Sequence, residues 1–208
     1  MTYASAGVSL EAGDEVVERI KGAVASTHVK GVVGGVGGFS GLFTPSLGDP
    51  LLAAGCDGVG TKIMLGRQAG RFHGLGVDLV AMCANDVLTS GARPIFFMDV
   101  ITCGKVIPER VAELVEGVAD GCRQAGCALL GGETAEHPDM MPDDDFDMAG
   151  FCVGGCERRE MISGARCAAG DAVVEADSAP AALSALERGG CAGFLAGTVM
   201  EGAGVRFR

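Results

Sequence analysis

Residues 57–62 read Asp-Gly-Val-Gly-Thr-Lys and come shortly after the apolar run Leu-Leu-Ala-Ala at residues 51–54. An apolar run followed by glycines predicts a buried strand that ends in a loop. Counted from Gly55, this loop reads G-x-x-x-x-G-T-K, which resembles a phosphate-binding P-loop but places the hydroxyl before the lysine. Two interpretations stay open at this point: a strand-end turn that is merely rich in glycine, or another scaffold that handles a nucleotide with the same residue types.

The composition predicts a globular chain with an acidic surface. The 208 residues are 48% hydrophobic and carry a formal net charge of -11, and this apolar content is enough to fill a core. An acidic surface does not attract a nucleic-acid backbone or an anionic membrane, so neither is expected as a partner. The N-terminus resembles no secretion signal and no apolar run approaches membrane-spanning length, so the chain is predicted to be cytoplasmic. The nine cysteines lack the spacing of a zinc site and predict free, mostly buried thiols.

Hydrophobic periodicity predicts helices and strands in irregular alternation. Such alternation indicates a mixed α+β fold without the regular repeat of a doubly wound sheet. The glycine pairs are interleaved with apolar residues, so they predict ordered loops in which the backbone approaches something closely or turns with positive φ. Helices are expected at residues 11–24, at 76–89 and from Pro108 onward, and strands at 51–56, 95–101, 127–130, 149–154 and 171–174.

Several carboxylates lie in apolar segments, where an unpaired charge is costly to bury. Asp78 and Asn85 are seven residues apart and share a face of the second helix, with Asp86 beside them. Asp78 is equally well explained as the cap of that helix. The other acids fit Mg²⁺, which binds through one or two carboxylates plus nucleotide phosphates, or ordinary salt bridges, which are favoured for each residue taken singly. These acids are Asp57, Asp86, Asp99, Glu133 and Glu136, and the available cations are Lys62, Arg67, Arg71 and Arg93.

Four motifs, in their order along the chain, resemble the aminoimidazole ribonucleotide synthetase family, also called the phosphoribosylformylglycinamidine cyclo-ligases. The motifs are residues 57–62, residues 76–86 (Gly-Val-Asp-Leu-Val-Ala-Met-Cys-Ala-Asn-Asp), residues 131–136 (Gly-Gly-Glu-Thr-Ala-Glu) and residues 147–151 (Asp-Met-Ala-Gly-Phe). Residues 3–8 and the glycine-rich loop 34–39 match as well. The resemblance therefore covers about residues 3 to 175.

This resemblance implies an ATP-dependent ligase of de novo purine biosynthesis. The family closes formylglycinamidine ribonucleotide to aminoimidazole ribonucleotide with release of ADP and phosphate, so ATP and Mg²⁺ are the implied cofactors and a phosphorylated small molecule the implied substrate. It also implies a mixed sheet with helices on one face, which pairs with a second subunit in a β-barrel-like homodimer with the nucleotide near the junction.

Site residues follow from the resemblance only where the motifs match. Asp57, Asp78, Asp86 and Glu133 become candidate metal residues, and Lys62 with Asp57 the candidate catalytic residues. The candidate nucleotide-binding residues are Gly34, Gly35, Gly37, Gly38, Phe39, Gly58, Gly60, Thr61, Lys62, Asn85, Gly131, Gly132 and Thr134.

The chain departs from the family's pattern at single positions and in its last part. Cys56 stands where a hydroxyl residue is usual, Arg93 where an acid is common and Asp139 where glycine is usual. Residues 1–175 are predicted to form the N-terminal ATP-binding domain, and residues 176–208 a remnant of a second domain that packs on the first or stays loosely ordered. Two alternatives to an active cyclo-ligase stay open: an incomplete relative that binds Mg-ATP, and a domain that only dimerises.

Overall fold

A computed structural model describes residues 8–35 and 40–162, together with Ser184 and Arg188. The fold discussed below belongs to the unit Met1–Ile162. The domain boundary predicted near residue 175 and the strand predicted at residues 171–174 lie outside the described residues, and so does nearly all of the predicted remnant.

The elements follow the order that the sequence predicts, with an additional α-helix, two additional short strands and a 3₁₀ helix. The three predicted helices and the four strands predicted at 51–56, 95–101, 127–130 and 149–154 are confirmed within a few residues at most ends. The helices are α1 (Leu10–Ala25), α2 (Lys62–Ala69), α3 (His73–Leu88) and α4 (Pro108–Ala125). The strands are β1 (Val32–Val33), β2 (Leu42–Phe43), β3 (Pro50–Gly58), β4 (Arg93–Cys103), β5 (Ala128–Glu136) and β6 (Phe146–Glu157), and a 3₁₀ helix (Arg158–Glu160) follows.

Local sequence explains where the two longest outer helices begin and end. The hydroxyl of Ser9 accepts the Ala12 N–H at 3.1 Å and caps α1. Pro108 occupies the first turn of α4, where the absent N–H costs nothing. Gly126 ends α4 with φ 71°, and the Cys127 N–H bonds back to the Cys122 carbonyl at 3.0 Å, which is the hydrogen-bond pattern of a Schellman cap.

The main sheet has four strands in the order β3-β6-β4-β5. β6 runs antiparallel to both β3 and β4, whereas β4 and β5 are parallel, so the sheet is mixed. The register places Asp57, Gly150, Asp99 and Gly132 side by side in one row across all four strands. Residues in one row project to the same face of a sheet, so this row shares a face. β1 and β2 form a separate two-stranded sheet.

Helices cover one face of the main sheet. Phe97, Ile101 and Met148 of the sheet pack with Leu79 of α3 and Leu114 of α4 in one core, and each is at most 1% exposed. The mixed α+β fold with helices on this face is therefore confirmed. Among the described residues, no helix combines the length and the apolar character that crossing a bilayer requires.

The opposite face of the sheet carries large apolar side chains that are exposed. Leu52 on β3, Phe151 on β6 and Met98 on β4 are 65%, 47% and 40% exposed, respectively. They alternate along their strands with residues of the core, as the two-residue period of a strand requires. We call this surface the open face.

The loop and the strand predicted around residue 57 differ from the structure. Asp57 and Gly58 belong to β3, and Lys62 is the first residue of α2, so the loop is only residues 59–61. The strand is also not buried, because β3 lies at the edge of the sheet and its alternate side chains, such as Leu52, project from the open face. Gly131 and Gly132 likewise lie inside β5 and do not form a turn.

The predicted cap of the second helix is wrong. α3 begins at His73, so Asp78 lies in its second turn and cannot cap it. The carboxylate of Glu113, on α4, accepts the backbone N–H groups of Phe72 and His73 at 2.8 and 3.1 Å. A neighbouring helix thus supplies the acceptor that the first turn of α3 lacks.

Glycines allow α3 and α4 to cross at very short distance. A Cβ atom on Gly117 would lie 1.9 Å from the His73 carbonyl oxygen, and a Cβ atom on Gly76 would lie 2.2 Å from the Leu114 carbonyl oxygen. These neighbours are backbone atoms, which cannot rotate away as a side chain can. The crossing therefore requires glycine at both positions.

Replacing Gly117 by alanine should destabilise the chain by about 3 kcal/mol, at the upper end of what overpacking costs, because the two helices must separate. The matched control is Gly22→Ala on α1, where an added Cβ meets nothing within 4 Å and should stabilise by about 0.5–1 kcal/mol. Urea unfolding followed by circular dichroism measures both. Equal midpoints for Gly117→Ala and the unmodified chain would contradict the assigned crossing.

Candidate functional site

The candidate residues collect at one end of the main sheet. β3, β4 and β5 point in the same direction, because each of β3 and β4 is antiparallel to β6 and β4 is parallel to β5. Their carboxyl ends therefore lie together, with residues 59–61 and α2 following β3 and residues 137–145 following β5. Loops beyond the carboxyl ends of strands are the usual position for ligand-binding residues in α/β sheets.

A tight turn presents Lys62 at the start of α2. Val59 is 3% exposed and anchors the turn, and Gly60 adopts φ 58°, a conformation that favours glycine. Thr61 precedes the helix, and its hydroxyl makes no capping hydrogen bond. The turn therefore leaves a hydroxyl and an ammonium group accessible next to glycines that lack side chains.

Lys62 is held by an acid of α3. Its Nζ lies 2.6 Å from Oδ2 of Asp78, and both side chains are about half exposed. The salt-bridge interpretation is thus confirmed for this pair. An exposed pair of this kind contributes little to stability, so its main effect is to fix the position of the ammonium group above α3.

Asp57 and Asp86 both lie near the Cys83 thiol, on the helix side of β3. A Cβ atom on Gly55 would lie 3.0 Å from Cβ of Asp86, and Asp57 follows two residues later on the same face of β3. Burial raises the pKa of the Cys83 thiol to about 11, together with the nearby charges of Asp57 and Asp86 and against a hydrogen bond to the Asp57 backbone. The Asp57 carboxylate accepts the N–H of Gly58 at 2.8 Å.

No cation neutralises these two acids within the part of the chain that the structure describes. The salt bridges there involve other carboxylates, and neither Arg71 nor Arg93 takes part in one. Carboxylate oxygens without a cation are the donors that Mg²⁺ takes from proteins, usually one or two together with nucleotide phosphates. Asp57 and Asp86 therefore fit a Mg²⁺ ion bound with a nucleotide.

Glu133 does not join this pair within one chain. It lies in register with Val100, one residue beyond the row that contains Asp57, Asp99 and Gly132, so it projects to the open face. β5 and β3 are opposite edges of the sheet with two strands between them, which separates the edges by roughly 14 Å. Residues 8–35 and 40–162 contain no group of three or more His, Cys, Asp or Glu that could hold a metal. The four candidate metal residues thus form two separate parts.

The candidate nucleotide-binding residues divide in the same way. Gly58, Gly60, Thr61 and Lys62 lie at the end of β3, whereas Gly131, Gly132 and Thr134 lie on β5. Gly34 and Gly35 are exposed, with φ 92° at Gly34, and Gly37, Gly38 and Phe39 lie outside the described residues. The end of this loop reaches β5, since a Cβ atom on Gly41 would lie 2.3 Å from Cγ of Leu130.

Asn85, another candidate nucleotide-binding residue, instead lines a cavity of about 310 Å³ between α3 and α4, with Gln124 and Pro94.

Glu136 and Arg67 have partners that the sequence did not reveal. The carboxylate of Glu136 accepts the backbone N–H groups of Ser9 at 2.8 Å and Val106 at 2.6 Å, so it joins α1 to the segment before α4. Arg67 pairs with Asp144 and Asp145, outside the acids that the sequence analysis considered. The run of three acids at residues 143–145 was the only local signal for this pairing.

Asp99 is the buried acid of the site region. It is 5% exposed, and burial raises its pKa from 3.8 to about 7, opposed only by its own backbone N–H. It occupies space that Gly132 leaves free, since a Cβ atom on Gly132 would lie 2.5 Å from its Oδ1. The predicted close approach at Gly132 is thus confirmed, and the neighbouring group is this carboxyl.

Asp99 should make stability depend on pH in a predictable direction. The pKa of the folded chain lies above that of the unfolded chain, so the folded state holds the proton more tightly. The stabilisation of the folded chain by the protonated Asp99 carboxyl is complete below about pH 4. It is lost as the pH rises through about 7, and the free energy of unfolding falls by at most about 1.4 kcal/mol per pH unit. Asp99→Asn keeps the size and removes the titration, so its free energy of unfolding should fall less between about pH 5 and pH 8. Urea unfolding at both pH values tests this, and identical losses in both proteins would contradict it.

Comparison with known proteins identifies the family. The family model described as "AIR synthase related protein, N-terminal domain" matches residues 43–156. The chain belongs to this family. The membership inferred from four motifs is therefore confirmed.

Curated relatives match most of the chain, which spans about half of their length. A phosphoribosylformylglycinamidine cyclo-ligase of Synechococcus sp. (strain CC9605) is 55% identical over 176 residues, which is 84% of this chain and 51% of that protein. A cyclo-ligase of the same name from Shouchella clausii (strain KSM-K16) is 49% identical over 175 residues, 83% of this chain and 51% of that protein.

Solved structures share the fold at low sequence identity. Thiamine-monophosphate kinase from Stenotrophomonas maltophilia K279a superposes with a TM-score of 0.60 at 19% identity, over 76% of this chain and 46% of that chain. HypE of E. coli superposes with a TM-score of 0.56 at 15% identity, over 77% of this chain and 48% of that chain. A third structure, the hydrogenase maturation protein HypE in complex with ATP, has a TM-score of 0.51 at 19% identity, over 77% of this chain and 43% of that chain.

Proposed function

We propose that this chain is the ATP-binding half of a phosphoribosylformylglycinamidine cyclo-ligase, a ligase of purine biosynthesis that converts formylglycinamidine ribonucleotide to aminoimidazole ribonucleotide. The observation that carries the proposal is the pair Asp57 and Asp86, two carboxylates that form no salt bridge within residues 8–35 and 40–162, beside the exposed Lys62. The curated relatives at 49–55% identity bear this enzyme's name. Free cysteines such as Cys83 and Cys152 fit the reducing cytoplasm as the compartment.

The residues at the end of β3 fit the parts of a nucleotide that carry charge. Bound Mg²⁺ and ATP supply charge neutralisation and the phosphoryl group that activates the substrate oxygen. Asp57 and Asp86 would hold the metal ion through their oxygens. Lys62 would exchange Asp78 for a phosphate oxygen, and Gly58 and Gly60 would let phosphate approach the backbone because they lack side chains.

We extend the proposal to a homodimer formed through the open face. This face exposes Leu52, Met98 and Phe151, and exposed large apolar side chains gathered on one face are typical of a protein interface. Glu133 projects to the same face. Pairing of two open faces would position Glu133 at the junction between subunits, one residue beyond the row of Asp57 and on the opposite face of the sheet.

Exchanging Asp57 for asparagine should weaken Mg-ATP binding by about tenfold or more, because the metal loses a charged ligand. Binding of ATP in the presence of excess EDTA should be unaffected. The control is Asp14→Asn, which removes the same charge from the exposed surface of α1. Isothermal titration calorimetry measures all three proteins, and equal Mg-ATP affinity for Asp57→Asn and the unmodified chain would remove Asp57 from the site.

Turnover separates the proposed enzyme from an incomplete relative. ADP release is measured with Mg-ATP in the presence and absence of formylglycinamidine ribonucleotide. Release that depends on this substrate supports the cyclo-ligase. Tight Mg-ATP binding without such release supports a relative that only binds the nucleotide, and the absence of any binding leaves dimerisation as the function.

A further inference from the structure

A second cluster of charges lies beside α2 and is not used by the proposed nucleotide site. It consists of Arg67 on α2, Arg110 on α4, and Asp144 and Asp145 in the loop between β5 and β6. The Asp144 carboxylate bridges the two guanidinium groups, with Oδ2 lying 3.0 Å from Nη2 of Arg67 and Oδ1 in contact with Nη2 of Arg110. One carboxylate therefore accepts from two arginines through two different oxygens.

Arg110 is the fixed part of this cluster. Its side chain is 14% exposed, and its guanidinium carbon lies 5.2 Å from the ring centroid of Phe72 and 5.7 Å from that of Phe146. A guanidinium group at these distances from aromatic rings is attracted to them. Its Nη1 also donates to the backbone carbonyl of Asp144 at 2.9 Å. The donor groups are consequently held in place before any ligand arrives.

Asp144 is the exchangeable part. Its side chain is 64% exposed, so it can rotate into solvent without disturbing the core. The backbone around it is held independently, since the Gly104 N–H donates to the Asp145 carbonyl at 3.0 Å and the Asp145 N–H to the Pro142 carbonyl at 2.9 Å. Hydrogen bonds from Arg110 and Arg67 lower the pKa of Asp144, so the bridging group is an anion.

The cluster has the chemistry of an oxyanion-binding site. In this structure the carboxylate of Asp144, from the same chain, lies where an anionic ligand would bind. Two guanidinium groups offer planar forks of donors, which match the oxygens of a phosphate. A phosphate monoester carries nearly two negative charges near neutral pH and three acceptor oxygens, whereas Asp144 offers one charge and two oxygens. A ligand of this class therefore gains more from the two arginines than Asp144 does.

We propose that Arg67 and Arg110 form a binding site for a phosphate group, and that the Asp144 carboxylate occupies this site in the absence of the ligand. The site is separate from Asp57 and Asp86. It shares α2 with the nucleotide site, because that helix begins at Lys62 and carries Arg67 on its second turn. The ligand is either a sugar phosphate or free inorganic phosphate, which present the same group.

The experiment compares Asp144→Asn with the unmodified chain. Removing the Asp144 carboxylate leaves Arg110 without an acidic partner and Arg67 with Asp145 alone, so ribose 5-phosphate and inorganic phosphate should each bind Asp144→Asn about tenfold more tightly. The matched control is Asp143→Asn, which removes the adjacent acid, a residue that forms no salt bridge within the described part of the chain. Calorimetric titration at constant ionic strength measures the affinities. Tighter binding of ribose 5-phosphate than of phosphate identifies a sugar phosphate as the ligand, and equal binding identifies free phosphate.

Two further variants make the test decisive. Asp144→Asn combined with Arg67→Gln should lose the gained affinity, and because Arg67 is more exposed than Arg110 this variant is expected to fold. Asp144→Asn combined with Asp57→Asn should keep the gained phosphate affinity. This result would show that phosphate binds apart from the proposed nucleotide site. The proposal is overturned if Asp144→Asn gains no affinity over Asp143→Asn, or if the gain survives Arg67→Gln.

Discussion

Because side chains of a β-strand alternate between two faces, and helices cover only one face of this sheet, every strand residue here has one of two environments. Asp57, Asp99, Gly132 and Gly150 share a row on the helix side, where an added Cβ would meet Phe97 and Leu79 at Gly150 and Asp99 at Gly132. Glu133, one residue further, has the opposite environment. The division of the candidate site into two parts follows from this alternation together with the strand order.

α2 connects the charged groups near the end of β3. Its first residue, Lys62, is held by Asp78, and Arg67 in its second turn is held by Asp144 and Asp145. Both cations are thus paired with exposed carboxylates of the same chain, which a phosphate can replace at little cost in stability. The two cations of α2 can therefore exchange their partners for anionic ligands. The crossing of α3 and α4 at Gly76 and Gly117 is instead held by close backbone contacts.

Local patterns were sufficient for the elements and insufficient for their assembly. Periodicity predicted α1, α3 and α4, and Pro108 marked the start of α4, because these signals act within one or two turns. The cap of α3 could not be found in this way, since Glu113 is 40 residues from His73. The separation of Asp57 from Glu133 likewise depends on strand order, which no single motif contains. Asp139 shows the reverse case: glycine is usual there in the family, and the structure gives this residue φ 65°, a conformation that glycine adopts readily.

The account's central claim is that two chains pair through their open faces and that this pairing supports nucleotide binding at the strand ends. The direct measurement is the Mg-ATP affinity of a Phe151→Lys variant, which introduces a charge at the centre of the open face, alongside its mass by analytical ultracentrifugation. We predict that the unmodified chain is a dimer that binds Mg-ATP. The variant should be a folded monomer that binds Mg-ATP at least about tenfold more weakly. A folded monomeric variant that binds Mg-ATP as tightly as the unmodified chain would contradict the claim.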